Sequence, residues 1–165
     1  MIFVTVGTHE QPFNRLLREV DRLVANAFVQ EKVIMQIGYS DYIPKNCEYH
    51  KFLSLQEMQK NIEEARIVIT HGGPASFLAV LQNNKIPIVV PRQEKYHEHI
   101  NNHQVDFVKF LEKKQNNIIP VYNIKVLKNV IHDYNHEISK RQNMELSNNR
   151  KFNYGFSEII NSMFN

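Results

Sequence analysis

The run RIVITHGGPASFLAVL, residues 66–81, joins two different hydrophobic periods across a His-Gly-Gly junction. Ile67–Thr70 is apolar and β-branched, as a buried strand is. From Pro74 onward the apolar positions fall at helical spacing. One reading of the junction is a tight turn and nothing more. The other is an anion site. Two glycines let the backbone approach a ligand closely, and Pro74 presets the first helical residue. The amides of Ala75, Ser76 and Phe77 then lie at the positive end of the helix dipole, beside the Ser76 hydroxyl. A glycine-rich strand-to-helix turn is a weak motif on its own, and both readings fit it.

The same alternation extends in both directions. Residues 2–6, IFVTV, read as a buried strand broken by GTHEQP. Phe13, Leu16, Leu17, Val20, Leu23, Val24 and Ala27 then recur at helical spacing, with Pro12 in the first turn. VIMQI (33–37) is a second strand ending at Gly38, and EYHKF (48–52) contains a third. A helix is expected over 55–64 and another from Pro74 to about Asn84. PIVVP (87–91) is a fifth strand. A long helix follows, with Ile100, Gln104, Phe107, Val108 and Leu111 on one face, and IIPVY (118–122) is a last strand. Further helical segments start near 124 and near 153. Apolar strands alternating with amphipathic helices predict an α/β fold, a doubly wound, mostly parallel, Rossmann-like sheet. Ligands of such folds bind beyond the carboxyl ends of the strands.

The chain has 165 residues, which suits one domain over 1–165. Within it, about 133–151 is polar and Asn-rich, an exposed helix or a mobile connection, and 152–165 reads as a terminal helix. The formal charge of +3 is scattered, which argues against nucleic acid as a partner. Cys47 is the single cysteine, so no internal disulfide can form and a reducing compartment is expected. The amino end does not read as a signal peptide, and no run approaches the roughly 20 apolar residues of a membrane span. A cytoplasmic protein is expected.

Two other strand ends carry candidate chemistry. In VGTHEQPF, Gly7 and Thr8 repeat the strand–glycine–helix form, and His9 stands where a general base or a substrate contact would. A helix cap with exposed polar side chains fits His9 equally well. In KYHEHINNHQ (95–104), Glu98, Asn102, His103 and Gln104 cluster near a helix start. Neutral His, Asn and Gln offer the donors and acceptors that a polyhydroxylated ligand needs. His99 and His103 are four apart, a spacing zinc can use, but no matching set of further ligands accompanies them, and no metal site is expected. Gln36 and Gly38 end the second strand and carry a weaker signal of ligand contact.

FVTVGTHEQPFNRLL, QIGYSD and ITHGGPASFLAVLQNNKIPIVVPRQEKYHEHINNHQ together resemble the carboxyl-terminal domain of glycosyltransferase family 28. Within that family they resemble the small PssE/EpsF-like subunits of bacterial capsule and exopolysaccharide assembly. These are similar in turn to the catalytic subunit of the eukaryotic enzyme that makes dolichol-linked chitobiose. The resemblance covers about residues 1–112. It implies the nucleotide-sugar-binding lobe of a GT-B transferase, inverting and metal-independent, with no cofactor. It also implies a UDP-sugar donor, galactose or glucose, and a lipid-linked saccharide acceptor. A second, Alg14/PssD-like membrane-anchored subunit would carry the acceptor lobe and hold this chain at the inner face of the membrane.

Carried over by position, the resemblance puts Gly7 and Thr8 near the phosphates or acceptor. Phe52 and Leu53 line the uracil pocket, and Gly72, Gly73, Pro74, Ala75 and Ser76 hold the diphosphate. Asn102, His103 and Gln104 lie at the donor sugar, and Glu98 at the donor or the partner. Ala75 stands where many members have glycine, and Ala79 where related transferases place an acid for the ribose. A non-catalytic enhancer of a partner transferase and a plain nucleotide-binding module are the competing readings.

Overall fold

The computed structural model describes residues 1–114 and 116–142. Met1–Tyr134 forms one compact unit and the segment from Asn135 a second. The first unit is built on a six-stranded sheet of β1 (Ile2–Thr5), β2 (Val33–Gln36), β3 (Glu48–His50), β4 (Ile67–His71), β5 (Ile88–Val90) and β6 (Ile119–Pro120). Its order is β3-β2-β1-β4-β5-β6, and every pairing is parallel. Winding therefore reverses between β1 and β4, which opens a crevice beyond their carboxyl ends. The central strands β1 and β4 are buried along their length up to His71 because both faces are covered. β3 is short, exposed and carries Glu48, as suits an edge.

Helices α1 (Asn14–Ala25), α2 (Leu55–Glu64), α3 (Pro74–Gln82), α4 (His103–Lys114) and α5 (Leu127–His132) fill the connections. α2 and α3 pack Ile62 and Val80 against Phe3, Ile34 and Val68 of the sheet. α3 and α4 bring Phe77, Val108 and Leu111 onto Val89. α1 lies on the other face, as right-handed crossovers require, and buries Leu16, Leu17, Val20 and Leu23. Each of these leucines contributes about 1.5–3 kcal/mol of burial.

Local chemistry sets the element ends. Ser54 and Glu57 form a reciprocal capping box at the start of α2. Beyond its end, the Lys85 ammonium donates to the carbonyls of Ile62 (2.7 Å) and Ala65 (2.7 Å). The buried Asp21 on α1 accepts from the Tyr42 hydroxyl at 2.7 Å and from the Lys45 and Asn46 amides, fixing the loop after β2. Burial opposes its charge, but these donors outweigh it and hold the carboxyl below its usual range. Cys47 sits beside it, half-buried, and burial pushes its thiol up to about 12.

Two expectations need correction. Pro12 precedes α1 rather than opening it, because Phe13 is the cap residue and its N–H is held by Ser40 Oγ at 3.1 Å. Ile100 is not on the α4 face: the helix starts at His103, and Ile100 is 73% exposed. The polar stretch begins as a helix, α6 (Tyr134–Gln142), in which Glu137 pairs with Lys140 and Arg141. The remainder of that stretch and the expected 152–165 helix lie outside the described residues.

Candidate functional site

A cleft of about 560 Å³ opens beyond the carboxyl ends of β1, β2 and β4. One wall is the β1–α1 loop with Gly7, Thr8 and His9. The facing wall is apolar: Phe52, Leu53 and Met58. The third side is the start of α3, with Gly73, Pro74, Ala75 and Ser76, and Thr5, Gln36 and His71 complete the lining. Among the described residues no carboxylate lines it. A helix amino-terminus facing a cleft without anionic side chains favours a negatively charged occupant.

The two glycines after β4 have a cause internal to the chain. The Gly73 N–H donates to His71 Nδ1 at 2.9 Å, so the imidazole proton sits on Nε2. Nε2 then donates to Ser76 Oγ at 2.7 Å. A Cβ on Gly73 would stand 2.2 Å from His71 Cε1, and one on Gly7 would stand 2.4 Å from His71 Nε2. The imidazole therefore fills space that only glycines leave. Gly7 also has φ +75, a left-handed conformation. At Gly72, the N–H donates to Gln104 Oε1 at 3.0 Å, and a Cβ would meet Gln104 Cβ at 3.0 Å. The turn is shaped by His71 and Gln104 before any ligand is considered.

Burial, and then the charge of Arg92, push His71 down to about 3. The ring is neutral at physiological pH and its tautomer is fixed. Ser76 is consequently not an activated nucleophile, since the histidine that touches it donates rather than accepts. Because Ser76 Oγ already accepts one proton, its own O–H is left to donate to an acceptor in the cleft. The Ser76 N–H donates to the Gly73 carbonyl at 3.1 Å, which corrects the expectation of three open amides at this helix start.

The second cluster is divided differently from its sequence proximity. Glu98 is buried, and both its oxygens face Arg15 at 2.7 and 2.8 Å. It also accepts from the Gln93 N–H at 3.0 Å and does not line the cleft. Asn102 is tied to Glu94 through its side-chain oxygen (3.1 Å) and nitrogen (3.1 Å). His103 is exposed at the start of α4. Gln104 accepts from the amides of both Gly72 and Arg92, and so supports the glycine turn from behind. Gly72, Asn102, His103 and Gln104 also stand outside the cleft lining. The His9 and His99 rings stack at 4.7 Å, and His9 Nε2 meets Gln11 Oε1 at 2.9 Å. Burial, followed by the His9 charge, lowers His99. Among the described residues no group of three or more His, Cys, Asp or Glu is placed to hold a metal. Ala79 packs on the Phe3 and Ile34 cluster, away from the cleft.

Three side chains that carry this architecture were weakly signalled in the sequence. His71 is visible as a histidine before two glycines. Arg92, 1% exposed, donates to the carbonyls of Gln11 (2.6 Å), Val6 (2.8 Å) and Glu98 (3.0 Å). Burial lowers it to about 10, so it keeps its charge. Gln36 forms the cleft floor with Thr5. Among the described residues no helix is long and apolar enough to cross a membrane.

Comparison with known proteins agrees with this geometry. The glycosyltransferase family 28 C-terminal domain matches residues 1–160. The UDP-N-acetylglucosamine transferase subunit ALG13 of Mus musculus is 33% identical over 124 residues, 68% of this chain. Its Homo sapiens counterpart is 31% identical over 127 residues. This chain spans about 10% of the length of either. Among solved structures, the glycotransferase of kitacinnamycin superposes with a TM-score of 0.55 at 16% identity, over 80% of this chain and 34% of that one. The glycosyltransferase SnogD from Streptomyces nogalater does so at 0.50 and 17%, over 73% of this chain and 30% of its own. These likenesses agree with the sheet order and the cleft position in giving the fold. By sequence, the chain belongs to the glycosyltransferase family 28 C-terminal domain family.

Proposed function

We propose that this chain is the donor-binding half of a UDP-sugar-dependent hexosyltransferase. The observation that carries the reading is the cleft, where the α3 amino-terminus and the outward Ser76 hydroxyl face the apolar wall of Phe52, Leu53 and Met58 across a space free of carboxylates. One end suits a diphosphate and the other a flat base. Gly7 and Thr8 are the further phosphate contacts, while Gly72 and Gln104 hold the turn. Asn102 and His103, both exposed, are then reserved for the donor sugar rim or a partner surface, while the buried Glu98 is held by Arg15. The ALG13 relatives are named as subunits of a UDP-N-acetylglucosamine transferase, which supports a two-chain enzyme. The second chain would be membrane-anchored, carry the acceptor lobe and hold this one at the membrane, in the manner of PssE/EpsF-like subunits of capsule or exopolysaccharide synthesis.

In this reaction the acceptor hydroxyl oxygen attacks the anomeric carbon with inversion. The bond from that carbon to the β-phosphate oxygen breaks, and its electron pair leaves on the diphosphate. The α3 dipole and Ser76 O–H stabilise that charge without a divalent cation. His9 is the base from this chain. With Gln11 Oε1 accepting from Nε2, its Nδ1 lone pair is left for the hydroxyl proton.

Calorimetric titration tests this with UDP, UDP-galactose, UDP-glucose and UDP-N-acetylglucosamine, with magnesium and with a chelator. The expected result is binding that survives chelation and is lost in Ser76→Asp. Absence of binding both alone and with the co-expressed partner would overturn the reading. His9→Ala is expected to abolish transfer while leaving UDP affinity within about twofold, since only transition-state stabilisation is removed.

A further inference from the structure

We propose that Gln36 is a positioning residue that ties the two facing walls of the cleft into one unit, so that contact with either wall depends on its amide. Gln36 is 3% exposed at the end of β2. Its Oε1 accepts from the Gly7 N–H at 3.2 Å and from the Thr5 hydroxyl at 2.7 Å. Its Nε2 donates to the Gly7 carbonyl at 3.1 Å and to the Lys51 carbonyl at 3.3 Å. Backbone donors and acceptors on both sides fix which end of the amide is which. One side chain thus holds both polar groups of Gly7 and the residue next to Phe52.

The pinning is tight. Gly7 has φ +75 and Gly38 has φ +56. A Cβ on Gly38 would stand 2.5 Å from the Gly7 carbonyl oxygen. That carbonyl is therefore confined between the Gln36 amide and the backbone at Gly38. Gly38 in turn donates to the Lys51 carbonyl at 2.9 Å. Among the described residues no direct hydrogen bond joins the loop bearing Thr8 and His9 to the segment bearing Phe52 and Leu53. Gln36 and Gly38 are their shared support. Removing the amide leaves the Gly7 carbonyl without its side-chain donor and the Gly7 N–H with only the Thr5 hydroxyl at 3.3 Å, and a left-handed loop residue that loses partners relaxes.

The link to ligand affinity rests on the donor reading of the cleft; the link between the walls does not. The test uses the full chain and its Gln36→Met variant, which keeps length and loses both polar ends. Gln36→Glu keeps the acceptor and loses the donor, and stands in if Gln36→Met does not fold. Lys85→Met, which loosens the end of α2 far from Gly7, is the control for general destabilisation. Amide hydrogen exchange of the ligand-free chains is read first, then UDP titration.

The Gln36 variants are expected to speed exchange about tenfold or more at Gly7–His9 and at Gly38, and also at Phe52 and Leu53. Lys85→Met should leave all of these within about twofold of wild type. UDP affinity should fall roughly tenfold in the Gln36 variants alone. Exchange altered on one wall only, or equally altered by Lys85→Met, overturns the proposal. Failure of the wild type to bind UDP counts against the donor reading, while the exchange data still decide the role of Gln36.

Discussion

At the scale of single residues, His71 explains the most. Its ring occupies the space beside Gly7 and Gly73. Gly73 has φ −74, so alanine there is strained only by contact with the ring. Gly73→Ala is therefore expected to cost about 1–3 kcal/mol in urea unfolding, as overpacking does. His71→Ala in the same chain should recover most of that cost, a coupling a double-mutant cycle measures. Gly7→Ala should not be rescued fully, because left-handed strain of about 1–2 kcal/mol remains. The pH dependence has a definite sign. The folded His71 is held near 3, below its ordinary value of 6.5. Its contribution to stability is whole above 6.5 and is lost as pH falls from there toward 3, because the unfolded chain takes up the proton first. Urea midpoints at pH 7 and pH 4.5 should differ in the wild type by more than in His71→Gln.

At the scale of elements, Lys85 holds the end of α2, and Lys85→Met should lower stability by about 1–3 kcal/mol through the loss of charge-assisted bonds to otherwise orphaned carbonyls. Thermal melts check it. The elements themselves were largely legible in the sequence. IVIT and PIVVP are apolar without alternation, the mark of strands covered on both faces. Errors fell where distant residues intervene. Phe13 displaced the expected start of α1 because its amide is met by Ser40, 27 residues away. Sequence proximity likewise gives no sign that Glu98 pairs with Arg15, 83 residues earlier. The loop positions around the cleft followed from the rule that ligands bind at strand carboxyl ends. The imidazole beneath the glycines did not, because a tautomer and a would-be Cβ contact exist only in three dimensions.

At the scale of the whole molecule, the reversal between β1 and β4 puts the crevice where ligands of doubly wound sheets bind, and the chain's family is that of the glycosyltransferase family 28 C-terminal domain. Ligand linkage gives a simple check. UDP at about one hundred times its dissociation constant should add about 2.7 kcal/mol. For a chain of this size that is a rise in melting temperature of roughly 5–10 °C, unchanged by chelator. If, as proposed, a second chain supplies the acceptor lobe, transfer activity is expected only when that chain is co-expressed.

Cys47 offers a practical consequence. With its thiol held near 12 rather than 9.0, its thiolate fraction at mild alkaline pH is about a thousandfold below that of an ordinary cysteine. Maleimide and iodoacetamide dyes react through the thiolate. A cysteine introduced at exposed Glu10, beside His9 but outside the cleft lining, would therefore take up a fluorophore while the native sulfur stays dark, and occupancy of the cleft could be followed by emission without altering position 47.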